Sequence, residues 1–276
     1  MAESQRSKRA RGIRITDRDR VLLSFVAEHR FVLSTHVEAL LGVSSHLANR
    51  RLRALTSARL LSGERGPYGG DYHLITRRGL DVIGSDLPRP RFDVRTHWHD
   101  VGIAWLWLAA RAGAFGSLSE IVSERRMRSS DGAADQLAQS FGVRLGGWGV
   151  GGRARLHYPD LLLEDEQGHR VAIELELSGK KRTHREKILA GYSFDRRIDA
   201  VVYFVDDPAV ARAVKASVAR LGLSSMVHVQ RFEWDPRIRP AGRGAAVRDA
   251  ARGPRAGGAT RDRSSARARR GAEAGL

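Results

Sequence analysis

The sequence predicts an α+β protein built in two parts. Three observations carry this. Apolar residues recur at helical spacing over 15–60, a short pair of β-segments around a Gly/Pro turn follows at 61–76, and from 118 to 234 β-rich runs alternate with helical ones. A further helical block, 77–113, lies between the hairpin and the mixed region. Residues 1–14 are polar and basic, and 240–276 is Arg/Gly/Ala-rich with almost no large apolar residue. Both ends are expected to be disordered arms, because they bury too little surface to offset the entropy of ordering. The organisation expected is therefore a basic arm (1–14), a first domain (15–88), a second (92–235) and the tail (240–276). The linker is expected near Arg89-Pro90-Arg91.

Each element of the first part has a local cause. Thr16 before Asp17 and Asp19 is an N-cap with acidic residues in the first turn. Val21, Leu22, Phe25 and Val26 then form one apolar face. A second helix opens at Ser34 or Thr35, carries Val37, Leu40 and Leu41, and stops at Gly42. Ser44 caps a third, expected over 45–59, with Leu47, Leu52 and Leu55 facing inward. Its other faces present Ser45, His46, Asn49, Arg50, Arg53 and Arg59, donors and cations suited to base edges and phosphates. Leu60-Leu61, the turn Gly66-Pro67-Tyr68-Gly69-Gly70 and Tyr72-His73-Leu74-Ile75 read as a hairpin, and Thr76 caps a helix from Arg77. Helix, helix-turn-helix, hairpin, helix resembles the winged helix family along its whole length.

In the second part a long helix is expected over 96–112 and a strand over 121–127, followed by a long Gly-rich loop over 129–152. A strand is expected from His157 to Leu163 and, after a turn at 164–168, another over 170–177. In the latter, Ala172, Glu174 and Glu176 share one face. Two carboxylates on one face beside Asp160 of the neighbouring strand repel each other and call for a cation; the bland alternative is that both Glu face solvent. A helix (181–194), a strand (200–205), a helix (208–221) and a strand (226–232) complete the order.

Composition narrows the function classes. The chain has 276 residues, 42% hydrophobic and 29% charged, as in ordinary globular proteins. With no cysteine, disulfides, thiolate catalysis and Cys-based zinc sites are excluded. The apolar run at 101–110 is too short to cross a bilayer, and no apolar segment follows the basic amino terminus, so a cytoplasmic protein without membrane contact is expected. Of the net charge of +17, about +10 lies in the two arms and about +7 in the body. Such an excess suits a polyanion such as double-stranded DNA.

The order of the second part, with Pro159-Asp160 followed by Glu174-x-Glu176, resembles the restriction-endonuclease-like fold and its Pro-Asp … (Asp/Glu)-x-Lys motif. The resemblance implies that Asp160 and Glu174 hold Mg²⁺ or Mn²⁺, which activates water and stabilises the leaving oxygen. The motif's Lys position is Glu176 here, and Lys180, Lys181 or Lys187 would supply the missing cation; Lys181 is the one chosen. A winged helix, then His97-x-His99-Asp100, then Ser123-Glu124-Arg125-Arg126 on a strand, then the two acidic motifs, resembles the replication-relaxation family, which is related to C-type plasmid mobilisation relaxases. That likeness implies Glu124 as an accessory metal or water ligand, Arg125 as a phosphate contact, and plasmid replication or mobilisation proteins as partners. It implies a metal-dependent nickase. An inactive DNA-binding replication accessory or regulator stays open, as does a homodimer. His97-Trp98-His99 also spells a metal motif of tyrosine-using relaxases, but helical spacing turns the two His apart. Tyr192 is expected to be a packed aromatic rather than a nucleophile, His157 a structural strand residue, and Trp105 and Trp107 core.

Overall fold

In the computed structural model, residues 13–66, 68, 70–133, 140–149 and 154–234 are described. The expectations for the basic arm, except its last two residues, and for the tail lie outside them. The chain is mixed α+β.

Helix α1 (Asp17–Glu28) starts as expected: Thr16 Oγ1 accepts from Asp19 N–H, and the Asp19 carboxylate accepts from Thr16 N–H. Asp19 is buried and paired with Arg51 of α3 (Ser45–Ser57), which ties the first helix to the third. Between them runs α2 (Ser34–Leu41). The buried stripe of α3 is Ala48, Leu52 and Leu55, spaced four and three apart, so Leu47 falls one step off the stripe and is 41% exposed instead of inward. Strands β1 (Leu61–Arg65) and β2 (Asp71–Ile75) pair antiparallel, and Val32 adds a bridge to His73 through two 3.0 Å hydrogen bonds. Thr76 caps α4 (Arg77–Ile83) as expected. Leu22, Phe25, Val37, Leu52, Leu61 and Leu80 form the first core.

Helix α5 (His97–Arg111) packs both on the first core and on the central sheet. Ala104 and Leu108, with the half-buried Trp105 and Trp107, pack into the first, as expected of core aromatics. Gly102 faces the sheet: a Cβ there would lie 2.4 Å from Leu175 Cδ2, so glycine is what lets α5 approach it. The described residues up to Glu233 accordingly form one compact unit.

The central sheet has the order β3-β6-β7-β8-β9: β3 (Leu118–Ser123), β6 (Leu161–Asp165), β7 (Arg170–Leu175), β8 (Ala200–Val205) and β9 (Val227–Arg231). Pairs β3/β6 and β6/β7 are antiparallel, β7/β8 and β8/β9 parallel. The parallel pairs are linked through α7 (Arg182–Phe194) and α8 (Pro208–Arg220). No helix among the described residues is long and apolar enough to cross a membrane.

Three expectations need correction. The strand expected over 121–127 ends at Ser123, and α6 (Glu124–Ala133) begins there, with Ser123 Oγ accepting from Arg126 N–H at 3.2 Å. The stretch expected as a loop over 129–152 contains the end of α6 and strand β4 (Val143–Trp148), while 134–139 and 150–152 lie outside the described residues. The single strand expected from His157 is two: β5 (Ala154–His157) pairs with β4, whereas β6 pairs with β7. Pro159, which has no N–H for a ladder, sits at the break.

Candidate active site and the α3 face

The outer side of α3 carries Ser45, His46, Asn49, Arg50 and Arg53, all exposed. With Asp71 and His73 of β2, four of them (Ser45, His46, Asn49 and Arg53) line a groove of about 500 Å³ between helix and hairpin. Arg59 is not on the helix, which is capped at Ala58; it takes a positive φ of 58°, and its carbonyl accepts from Thr76 Oγ1 at 2.7 Å. Its exposed side chain lies beyond the helix.

The acidic cluster gathers where β6 begins and β7 ends. Leu161 faces Ile173 in the ladder, and Asp160 N–H donates to the Ile173 carbonyl at 3.0 Å. The Asp160 carboxylate turns back onto β7: Oδ2 accepts from Leu175 N–H at 2.7 Å and from His99 Nε2 of α5 at 3.1 Å. Glu174, one residue before Leu175, accepts at Oε1 from His157 Nε2 at 2.6 Å and from the Tyr192 hydroxyl of α7. Glu174 and Glu176 are each only 2% exposed, so the reading in which both face solvent is wrong. The sheet is covered on this face by α7, and the carboxylates point under it.

Glu176 is neutralised rather than free. Lys180 Nζ lies 3.6 Å from Oε2 and Arg185 Nη1 3.5 Å from Oε1. Arg185 is itself buried and donates to Ser217 of α8 at 3.2 Å. The lysine at the cluster is therefore Lys180; Lys181 is an exposed N-cap of α7. Turn geometry decides between the two neighbours, and sequence alone does not contain it. Tyr203 of β8 stands in register with Glu174; its hydroxyl is buried without a hydrogen-bond partner.

Charge coupling explains the protonation states. Burial opposes ionisation of Asp160, but the charge and hydrogen bond of His99 and the Leu175 amide outweigh it and hold the carboxyl below its usual range. Burial likewise disfavours the His99 cation, yet Asp160 wins and lifts the imidazole to about 9. Burial would lower Lys180, and the charges of Glu174, Glu176 and Asp160 raise it above its ordinary value. Burial beside Glu174 drives the Tyr192 hydroxyl well above the normal phenol range.

Glu124 and Arg125 sit at the start of α6, not on a strand. Glu124 N–H donates to the Asp160 carbonyl at 3.1 Å, and its carboxylate meets Arg128 at 2.8 Å and Arg30 at 3.7 Å. Both residues line a small polar cavity with Arg30, His99, Asp100 and Asp160. Arg125 does not reach out for phosphate: its guanidinium donates to the carbonyls of Ala27 at 3.1 Å and Pro88 at 2.6 Å. Arg30, Arg185 and Tyr203 were not anticipated from sequence. The first two are single cations among 48 Lys and Arg, with nothing local to mark them.

Asp160, just before β6, and Glu174 of β7 are hard oxygen donors, the donor chemistry that Mg²⁺ and Mn²⁺ take. Among the described residues, no group of three or more His, Asp or Glu is arranged to hold a metal ion. A site here would thus draw its remaining ligands from water and phosphate, as Mg²⁺ sites commonly do. No protein-family model matches the chain, and no curated protein matches it.

Proposed function

We propose that this protein is a DNA nickase of the replication-relaxation type, with a winged helix ahead of a restriction-endonuclease-like domain. The observation that carries this reading is the approach of Asp160, just before β6, and the buried Glu174 of β7 to Lys180, with α5 bonded to the first carboxylate and α7 to the second. The helix-hairpin order of the first region supports the winged helix, with α3 toward double-stranded DNA. The mixed sheet, antiparallel then parallel, supports the second assignment. Asp160 and Glu174 would hold Mg²⁺ or Mn²⁺, which when bound polarises a phosphate and lowers the pKa of a water. Lys180, held protonated by three carboxylates, is an electrostatic partner for a phosphate oxygen rather than a base. Tyr192 stays a phenol, fully buried and bonded to Glu174, so it positions that carboxylate and does not attack DNA. In this reading the protein works in the cytoplasm, with plasmid replication or mobilisation proteins as partners.

A second reading has a specific observation behind it. Each candidate ligand carboxylate is engaged by a histidine, and Glu176 stands where the motif has lysine. This favours a DNA-binding replication accessory or regulator without cutting activity. Supercoiled plasmid separates the two. The nickase reading expects Mg²⁺- or Mn²⁺-dependent open circles, lost in Asp160→Asn and Glu174→Gln; plasmid binding without nicking in either cation favours the regulator.

A further inference from the structure

Arg30 belongs to the first region and reaches the acidic site of the second. Its neighbours His29 and Phe31 are buried, and Val32 is fixed to His73 by two backbone hydrogen bonds. The chain is thus packed on both sides of Arg30, while its own side chain is 37% exposed. The end of α1 is also tied to the start of α6. Glu28 accepts from Ser123 Oγ at 2.5 Å and from Arg126 Nε at 2.8 Å, and Arg125 donates to the Ala27 carbonyl at 3.1 Å. With the two segments held together, Arg30 lines the same small cavity as His99, Asp100, Glu124 and Asp160.

Two arginines line that cavity, and they are held differently. Arg125 is committed to two main-chain carbonyls. Arg30 meets two carboxylates, both at long range: Nε lies 3.4 Å from Asp100 Oδ1 and Nη2 3.7 Å from Glu124 Oε2. A charge-assisted hydrogen bond is shorter, about 2.7–2.9 Å. Both partners also have other donors: Asp100 accepts from Thr96 Oγ1 at 2.7 Å, and Glu124 pairs with Arg128 at 2.8 Å. Burial lifts the Asp100 carboxyl above its usual range in spite of Thr96 and Arg30. Glu124 N–H in turn donates to the Asp160 carbonyl at 3.1 Å, so Arg30 stands beside the backbone of a candidate metal ligand. We propose that Arg30 is the cation that takes the phosphodiester at the acidic site, its guanidinium exchanging the distant Asp100 and Glu124 for two phosphate oxygens. The planar fork suits that bidentate contact. This rests on the nickase reading and deepens it, moving the phosphate contact from Arg125 to a residue of the first region.

The test uses the full chain and supercoiled plasmid, measuring binding and the single-turnover rate of nicking with Mg²⁺ or Mn²⁺. Arg30→Gln is expected to slow nicking of bound plasmid about a hundredfold, with affinity changed less than about threefold because other phosphate contacts carry it. Arg30→Lys keeps the charge without the fork and should nick about tenfold more slowly than wild type. Because Arg30 also stands between two carboxylates, Arg30→Gln is combined with Asp100→Asn, which removes one of them. A purely structural Arg30 predicts that the second change restores both melting temperature and nicking. The phosphate contact predicts that melting temperature recovers while nicking stays slow. A wild-type rate in Arg30→Gln or in Arg30→Lys, or a rate restored by Asp100→Asn, overturns the assignment and leaves the cutting reading intact. Wild type that binds plasmid without nicking it in either cation overturns the cutting reading, and the role of Arg30 with it.

Discussion

On α3 the cations stand in water, whereas on β7 the carboxylates are folded inward. Arg50 and Arg53 rest on a helix whose buried stripe is Ala48, Leu52 and Leu55, and in this region burial disfavours the histidine cation. Burial pushes His29 down to about 3 and His97 to about 4. Around β7 the opposite holds: Asp160, Glu174 and Glu176 are withdrawn from water and answered by His99, His157, Lys180 and Arg185. Two residues of one helix display the contrast, since His97 is packed against Phe31 and Tyr72 and His99 is turned to a carboxylate. Exposed cations cost the fold little and suit reversible, salt-dependent contact with a polyanion. Buried carboxylates cost the fold a great deal unless paired, so their presence in a sheet interior marks the place where chemistry is to be sought.

The contrast breaks most visibly in stability. Phe31→Ala should cost about 3–5 kcal/mol by leaving a cavity among Tyr72, Phe92 and His97. Arg185→Met should cost a similar 3–5 kcal/mol by leaving Glu176 short of a partner. Adding Glu176→Gln should restore most of the second loss and none of the first, as read from urea midpoints of the single and double variants. Equal rescue of both, or of neither, would erase the distinction between the two regions.

Titration separates them next. His99 is raised above its unfolded value near 6.5, so its contribution is complete below that pH and fades as pH climbs through about 9. His97 is depressed to about 4, so the folded state binds fewer protons than the unfolded one, and stability falls as pH drops from about 6.5 toward 4. Thermal melts across pH should show His99→Gln flattening the alkaline limb and His97→Phe the acid limb. A swap of those limbs contradicts the assignment.

Smaller effects concern DNA and the lysine pair. Arg50→Ala with Arg53→Ala should weaken duplex binding and lower the salt slope by about 2 if each cation meets one phosphate. Lys181→Ala should change stability by less than about 0.5 kcal/mol and leave nicking intact, whereas Lys180→Ala should reduce it.

Much of the architecture was legible because its causes are local. Thr16 and Thr76 cap their helices, the hairpin shows its Gly/Pro turn, and 200–205 reads as a strand from its run of β-formers and is one. Misreadings arose where a distant partner decides. Ser123 could continue a strand or start a helix, and its hydroxyl bonded both to Arg126 N–H and to Glu28 of α1 belongs to the latter. His157 looks like part of the next strand until Val143 is seen to pair with it. Motif spacing singled out Asp160 and Glu174 as candidates, but their bonds to His99, His157 and Tyr192 come from three other elements. Arg125 shows the reverse error: a cation in a promising motif whose donors are used up by two carbonyls of the first region.

Binding of Mn²⁺ to the metal-free protein, followed by the loss of the free-ion paramagnetic resonance signal, tests most directly whether Asp160 and Glu174 act together. Wild type should bind a single Mn²⁺ that Mg²⁺ displaces, and Asp160→Asn and Glu174→Gln should each weaken it at least about tenfold while remaining folded. Wild type that takes up no Mn²⁺, or folded variants that bind it as tightly as wild type, would contradict the account.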